Sequence, residues 1–184
     1  MLPPAAAAEP TTIWTIGHST RSIEEFLGLL SGARIATIAD VRSFPGSRKY
    51  PQYGKDALPM TLTAHGIGYD WLPALGGRRR VLPGSPNTAW RNASFRGYAD
   101  YMSSPEFVQG LGQLIQLASQ ARTAVMCAEA LWWRCHRAMI ADALSVHGIE
   151  VVHILDAKHN VVHPMTSPAR IVGGALTYVA DLRE

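Results

Sequence analysis

Short apolar runs alternate with helix-like segments along most of the chain, and this alternation constrains the fold more than any other feature. The apolar runs that read as strands are 12–17, 36–41, 67–75, 123–128 and 151–155. Helix-like periodicity occupies the segments 22–33, 55–65, 95–121 and 131–148. Parallel strands need long crossover connections, which are usually helices. The sequence therefore predicts an α/β, three-layer Rossmann-like fold, with a mostly parallel sheet of about five strands and helices on both faces.

Local signals set the expected boundaries of these elements. Ser22 is a candidate N-cap for the first helix, because Glu25 follows three residues later. The Ser103-Ser104-Pro105 step predicts two helices rather than one between 95 and 121, since proline favours the first turn of a new helix. The last helix is expected to begin near Leu131 and to end at Gly148. We expect a flexible tail over 1–11 and one domain over 12–184.

Composition limits the classes of protein to which the chain can belong. The hydrophobic fraction of 47% is that of a globular protein with a full core. No apolar run approaches the roughly 20 residues needed to cross a bilayer, so we expect no membrane partner. Two cysteines close together do not form a secreted disulfide framework, and we expect a cytoplasmic protein. The net charge of +3 comes mainly from arginine, which suits phosphate or carboxylate recognition but also follows from biased codon usage.

Polar residues follow the predicted strands at their carboxyl ends, where open parallel sheets bind ligands. His18 and Ser19 follow the first strand, while Asp40, Arg42 and Arg48 lie at or after the end of the second. Serine and aspartate at such positions are often only caps of helices and loops. Capping does not require two arginines in one loop, however. The working hypothesis is an anionic group bound by Arg42 and Arg48.

The segment 127–137, CAEALWWRCHR, joins a buried strand to a helix and carries most of the candidate catalytic residues. We expect Cys127 to be a nucleophile with a lowered pKa, because a helix N-terminus, His136 and Arg137 would stabilise its thiolate. Glu129 is a candidate general acid or base, or a purely structural acceptor at the helix start. Cys135 is either part of the chemistry or a packing residue. His136 would orient the substrate or transfer a proton.

Three better-known sites do not fit this segment. A zinc site is disfavoured, because Cys127 and Cys135 are eight residues apart rather than within a short Cys-x₂₋₄-Cys motif. A zinc deaminase would need a following Pro-Cys-x-x-Cys, which is missing. A phosphatase loop would need a glycine-rich cradle between cysteine and arginine, where this chain has two tryptophans. We therefore predict neither a metal nor a cofactor.

Five motifs in order carry a resemblance to a known family: TIGHST, DVRSFPGSR, LGG, SFRGYADYM and CAEALWWRCHR. Together they resemble the domain-of-unknown-function family 488 (DUF488) over 12–170. The resemblance implies little chemistry, since some members are labelled only as DNA repair proteins. By this resemblance, the candidate functional residues are His18, Ser19, Asp40, Arg42, Arg48, Gly76, Gly77, Tyr98, Cys127, Glu129, Cys135, His136 and Arg137.

Three functions remain open from the sequence. The first is an enzyme that acts on an anionic substrate, of which a nucleotide or a nucleic acid is one example, with Cys127 or Glu129 as the reacting group. The second is a DNA- or RNA-binding or repair protein, whose contacts would come from an arginine-rich loop. The third is a thiol redox module in which Cys127 and Cys135 form a disulfide. The arginines and tryptophans expected in the nucleic-acid contacts are Trp71, Arg78, Arg79, Arg80, Trp90 and Arg91.

Overall fold

The computed structural model contains the expected alternation of strands and helices and describes residues 11–46 and 48–180. The predicted tail, apart from Thr11, lies outside the described residues. The α-helices are α1 (Ile23–Gly32), α2 (Ala57–Ala64), α3 (Ala93–Tyr101), α4 (Pro105–Gln120) and α5 (Arg137–Val146). The strands are β1 (Thr12–Gly17), β2 (Thr37–Asp40), β3 (Gly68–Trp71), β4 (Thr123–Cys127), β5 (Glu150–Ile154), β6 (Asn160–Val162), β7 (Arg170–Val172) and β8 (Ala175–Thr177). No helix in the described ranges is long and apolar enough to cross a membrane.

Six strands form the main sheet in the order β3-β2-β4-β1-β5-β6. The first five strands in this order pair in parallel, which confirms the predicted parallel sheet. Strand β6 adds an antiparallel edge next to β5, and β7 and β8 form a separate hairpin. The central positions of β1 and β4 bring the loops after both strands to the middle of the carboxyl edge, where ligands bind in this class of fold.

Helices cover both faces of the sheet, as the sequence predicts. On one face, Phe26 and Leu30 of α1 and Leu62 of α2 pack against the sheet. On the other face, side chains of α3, α4 and α5 form the second buried cluster. Strands buried on both faces read as continuous apolar runs, which explains why TIWTIG and TAVMC lack strict alternation.

Two helices meet where the sequence places a break. Helix α3 ends at Tyr101 and α4 begins at Pro105. The Ser104 side chain accepts a hydrogen bond of 3.2 Å from the Phe107 backbone N–H, so it caps α4. Ser22 likewise accepts from the Glu25 N–H at 3.1 Å and caps α1. Both predicted helix starts are confirmed.

Two predicted boundaries are wrong. The strand expected over 67–75 ends at Trp71, because Pro73 cannot donate to a sheet ladder and begins a 3₁₀ turn. The last helix begins at Arg137 rather than near Leu131, and a separate 3₁₀ turn covers Trp132–Arg134. Cys135 between them is extended, with φ −127° and ψ 149°. Its position therefore comes from the loop that enters α5, not from a turn of that helix.

Candidate active site

An open pocket of about 740 Å³ lies at the carboxyl ends of β1, β2 and β4. Its walls come from the loops after these strands, the start of α3 and the loop before α5. Of the residues singled out by the sequence, the pocket is lined by His18, Ser19, Arg42, Gly77, Tyr98, Cys127, Glu129, Cys135 and His136. The pocket lining does not include Asp40, Arg48, Gly76 or Arg137. The structure therefore brings nine of these residues together at one pocket and leaves four outside its lining.

Cys127, Cys135 and His136 form a compact cluster in this pocket. The two Sγ atoms and a ring nitrogen of His136 all lie within 4.8 Å of one another. The Cys135 Sγ is 3.6 Å from Nδ1 of His136. Cys127 closes strand β4 and is half-buried, whereas Cys135 is buried at the entrance to α5. Among the described residues, this trio has the donor types and spacing to share one metal ion.

Arg137 lies beneath the cluster and is almost completely buried. Its backbone N–H and its Nε donate to the Cys135 Sγ at 3.5 Å and 3.4 Å. Its NH2 group donates to the carbonyl oxygens of Glu129 and Ala130, which fixes the loop after β4. None of the ion pairs found within the described residues includes Arg137. A buried cation beside a sulfur atom favours a thiolate at that sulfur.

The thiolate preference falls on Cys135 and not on Cys127. A hydrogen bond to Cys135, together with burial, raises the pKa of Cys127 well above its ordinary value. Burial also raises the pKa of Cys135, but the hydrogen bond from Cys127 and the nearby His136 and Arg137 outweigh it and lower that pKa well below normal. The expectation of a low-pKa Cys127 is therefore wrong, because the arginine contacts the other cysteine.

The Asp40–Arg42 ion pair is buried, and its hydrogen bonds are made within the protein rather than toward the pocket. Asp40 is fully buried and accepts from the Arg42 backbone N–H at 3.0 Å, from its Nε at 2.9 Å and from its NH2 at 2.6 Å. Arg42 also donates to the Tyr53 carbonyl at 2.8 Å. Burial disfavours the charged guanidinium, but hydrogen bonding to Asp40 outweighs this effect and raises the pKa of Arg42. Arg48 is exposed and does not line the pocket, whereas Arg42 does.

His18 and Tyr98 use their polar groups within the wall. Nδ1 of His18 donates to the Ser19 carbonyl at 3.0 Å, and its ring stacks on Tyr53 at 4.1 Å. The Tyr98 hydroxyl donates to the Leu75 carbonyl at 2.8 Å, while its ring packs against His136. Both side chains therefore shape the pocket. The Tyr98 hydroxyl already has an acceptor within the protein.

The sequence assigned Arg78 only to the nucleic-acid contacts and gave Arg134 no role in a site. The side chains of both arginines line the pocket, are exposed, and have no hydrogen-bond acceptor among the described residues. Ser94 and Phe95 place the N-terminus of α3 in the same wall, and the loop before α5 supplies a second helix N-terminus. Helix N-termini carry partial positive charge. The surroundings of the cluster thus favour an anion.

A buried chain of hydrogen bonds runs from Arg137 away from the pocket, and the sequence did not reveal it. Arg137 NH1 donates to the Thr15 hydroxyl at 3.4 Å, and Thr15 lies 2.6 Å from Nδ1 of His153. Nε2 of His153 lies 2.9 Å from Nδ1 of His163, whose Nε2 lies 2.9 Å from Asp142. With Nε2 of each ring as the donor, every hydrogen bond in the chain is directed toward the Asp142 carboxylate.

Acid should destabilise the protein through buried histidines. Burial, with a smaller effect of the Arg42 charge, lowers the pKa of His18 to about 4. Burial and the neighbouring His163 lower the pKa of His153 to about 3. These rings are neutral in the native protein and protonate near pH 6.5 once unfolded, so the stabilisation is complete above that pH and is lost below it. Urea unfolding should show a loss of about 2 kcal/mol per histidine between pH 8 and pH 5.

The His18→Gln variant tests this assignment. It should lose about 2 kcal/mol less than the wild type over the same pH interval, because one of the two buried rings is gone. His65→Gln is the control, since His65 is exposed at the end of α2. Equal pH slopes for the wild type and His18→Gln would contradict the role of His18.

A comparison with protein-family models finds one match, to "Domain of unknown function DUF488", over residues 22–144. The matched segment covers more than half of the chain. The chain belongs to the DUF488 family. No curated protein and no solved structure matches with comparable significance.

The DUF488 match includes the three residues of the cluster and Arg137, but it leaves out β1 and β5. His18 and Ser19 follow β1 and lie outside the matched segment, although both line the pocket. The pocket of this DUF488 protein is thus assembled from residues inside and outside the matched range.

Proposed function

We propose that this DUF488 protein is an enzyme that converts a small anionic substrate in the pocket, with Cys127, Cys135 and His136 as its reaction centre. The observation that carries the proposal is the coincidence of this cluster with Arg78 and Arg134, which line the same pocket without an acceptor among the described residues. Active sites typically combine reactive groups with cationic side chains that position the substrate.

The charge distribution supports an anionic substrate bearing phosphate or carboxylate groups. Arginine matches both groups by donating two parallel hydrogen bonds. The N-terminus of α3 lies in the same wall and its dipole favours negative charge, although the Asn92 side chain already accepts the N–H groups of Ser94 and Phe95. Arg42 adds a fixed positive charge, although Asp40 balances most of it. A pocket of about 740 Å³ has the volume of sites that bind molecules of nucleotide or drug size.

The reacting groups suggest group transfer or hydrolysis at an electrophilic carbon or phosphorus atom. Sulfur and imidazole act on such atoms either directly or through a bound ion. Glu129 contributes an exposed carboxylate in the same pocket, with its Oε1 only 3.3 Å from the Leu131 N–H. Its position is compatible with contact to a bound substrate.

The first experiment measures binding of inorganic phosphate and adenosine monophosphate by calorimetry at low salt. The Arg78→Gln/Arg134→Gln double variant should bind at least tenfold more weakly than the wild type, because each arginine supplies charge-assisted hydrogen bonds. Arg48→Gln is the matched control, since Arg48 is an exposed arginine of a neighbouring loop that does not line the pocket.

Equal weakening by Arg48→Gln would indicate general electrostatic attraction rather than a site. Absence of binding by either anion would contradict the proposed substrate class. If either anion binds, turnover is sought among phosphate esters and carboxylate-bearing amides. Loss of that turnover in Cys135→Ser, with retained anion affinity, would separate the reaction centre from the binding groups.

A thiol redox function is a second candidate, because the two sulfur atoms lie within 4.8 Å of each other. In exchange with a small disulfide such as oxidised glutathione, Cys127 and Cys135 would lose two electrons and two protons and form one S–S bond. The small disulfide would gain them as two thiols. Mass spectrometry of the exchanged chain would then show a loss of two hydrogen atoms, and Cys127→Ser would block it.

The contacts weaken the nucleic-acid alternative. Arg79 stacks over Tyr101 at 3.6 Å and donates to two backbone carbonyls, so it stabilises the loop rather than extending from it. Trp90 packs against Phe95 and Tyr178 and is not a free stacking surface. We therefore favour a small substrate over a nucleic-acid strand.

A further inference from the structure

We propose that Cys127, Cys135 and His136 bind one divalent transition-metal ion of the zinc class, with a fourth coordination position open to the pocket. The inference rests on the proposed function, because it assigns the ion to the same reaction centre. It concerns the ligands and the geometry of the cluster, and it can be tested without knowledge of the substrate.

The distances within the cluster suit such an ion. Four-coordinate zinc with Zn–S bonds of about 2.3 Å and Zn–N bonds of about 2.1 Å places a sulfur and a nitrogen about 3.6 Å apart. The Cys135 Sγ and the His136 Nδ1 are 3.6 Å apart. The Cys127 Sγ completes a group whose atoms are all within 4.8 Å.

His136 presents the correct nitrogen to the cluster. Its Nε2 is 3.2 Å from the Val41 carbonyl oxygen, which can only accept a hydrogen bond. Nε2 is therefore the donor to this carbonyl, and Nδ1 is the nitrogen that faces Cys135 and is available to an ion. A histidine that donates its other N–H to a backbone carbonyl is the usual arrangement for a metal ligand, because it fixes both the tautomer and the ring orientation.

The surroundings hold the donors in place. Cys127 ends a central strand, and its neighbour Gly17 pairs with it across β1 and β4. Cys135 accepts N–H groups from the backbone and the guanidinium of Arg137, as sulfur ligands with hydrogen-bonded outer partners do. The donors thus lie at the two ends of one loop, with Cys127 at the end of β4 and Cys135 and His136 at the start of α5. Zinc sites built this way are not restricted to the short cysteine spacing that a single loop imposes.

The cluster also leaves one side accessible. All three donor residues line the pocket, so an ion between them would face the space that the substrate is proposed to occupy. Three protein ligands with one open position characterise catalytic zinc sites, whereas structural zinc sites use four. The open position would take water or an oxygen of the anionic substrate.

The test uses the untagged full chain, stripped of metal and titrated with Zn²⁺ and with Co²⁺. We expect one equivalent of each to bind, and Co²⁺ to give the visible bands of a four-coordinate ion together with thiolate-to-cobalt charge transfer. Cys127→Ser, Cys135→Ser and His136→Gln should each weaken binding by more than about 100-fold, since changes in outer partners alone cost 10- to 100-fold. His147→Gln, at the other end of α5, is the control.

Gly77→Ala provides a variant that keeps every donor. A Cβ at residue 77 would lie 2.9 Å from Nδ1 of His136 and 3.3 Å from both adjacent ring carbons, so it would press on the face of the ring and tilt it. Metal affinity should fall about tenfold or more, while circular dichroism stays native. This outcome would show that weaker metal binding comes from a displaced ligand and not from unfolding, which is the other explanation for the ligand variants.

The outcomes distinguish this inference from the proposed function. If no Zn²⁺ or Co²⁺ binds, or the ligand variants bind as the wild type does, the metal inference is overturned, and phosphate binding through Arg78 and Arg134 is unaffected. If the metal binds as expected but no anion does, the metal inference stands and the proposed substrate class fails.

Discussion

Replacing Asp142 by alanine should destabilise the protein by about 4 kcal/mol at neutral pH. The Asp142 carboxylate is fully buried and accepts hydrogen bonds from four groups in the C-terminal part of the described chain. These donors are His163 Nε2 at 2.9 Å, the Thr166 N–H at 2.9 Å, the Thr166 hydroxyl at 2.6 Å and the Tyr178 hydroxyl at 2.7 Å. Alanine would leave the buried His163 and Tyr178 donors and the partly buried Thr166 donors without an acceptor, which is among the largest costs of a single substitution.

Chemical denaturation at pH 7.5 measures this cost. Asp142→Asn should lose about half as much stability, because an amide keeps one oxygen acceptor and hydroxyl groups can rotate to accept from its NH₂. Asp70→Ala is the matched control, since Asp70 is exposed on β3 and should change stability by no more than about 0.5 kcal/mol. A loss below about 1 kcal/mol for Asp142→Ala would show that water replaces the carboxylate.

Replacing Gly17 by alanine should cost about 3 kcal/mol and disorganise the pocket. A Cβ at this position would overlap the Glu129 carbonyl group and lie 2.9 Å from Cα of Ala130. Both neighbours are backbone atoms and cannot rotate away, so the loop after β4 must shift. That loop supplies the carbonyl oxygens that hold Arg137 against Cys135. The reaction of the cysteines with an alkylating reagent should therefore change together with stability.

Gly28→Ala provides the comparison for this variant. Gly28 lies within α1, and a Cβ there would meet no other atom within 4 Å. Alanine should stabilise α1 by about 0.5 to 1 kcal/mol, because glycine in a helix interior costs that much. A Gly17→Ala protein as stable as the wild type would mean that the carbonyl loop adapts, which would contradict the rigid support inferred for Arg137.

The sequence predicted the layers of the fold because its apolar runs are long enough to identify buried strands on both sides of each helix. It failed at the start of α5, where the residues Trp132 to His136 keep a helix-like composition. Cys135 is extended there because its sulfur accepts the first N–H groups of the helix and of the Arg137 side chain. No periodicity in the sequence encodes that contact.

The location of the candidate site was predictable, but its internal connections were not. Parallel topology brings the loops after β1, β2 and β4 to one edge, so the polar residues that follow these strands lie at the same edge of the sheet. The buried chain to Asp142 joins Thr15 and His153 across 138 residues, and each member appears as an isolated polar residue in an apolar segment. Such residues indicate that a buried polar contact exists, but the sequence does not identify the partner in that contact.

The central place of β1 also affects how the chain reaches its folded state. The first strand of the described sheet pairs on both sides with strands that are synthesised much later, β4 and β5. Until residue 154 has left the ribosome, the sheet that buries Ile13 and Ile16 is incomplete. Pairing between such distant segments is slow, and unpaired apolar strands aggregate. The yield of folded protein during synthesis should thus depend on how well β1 is protected from aggregation before β4 and β5 have been made, rather than on the final stability of the sheet.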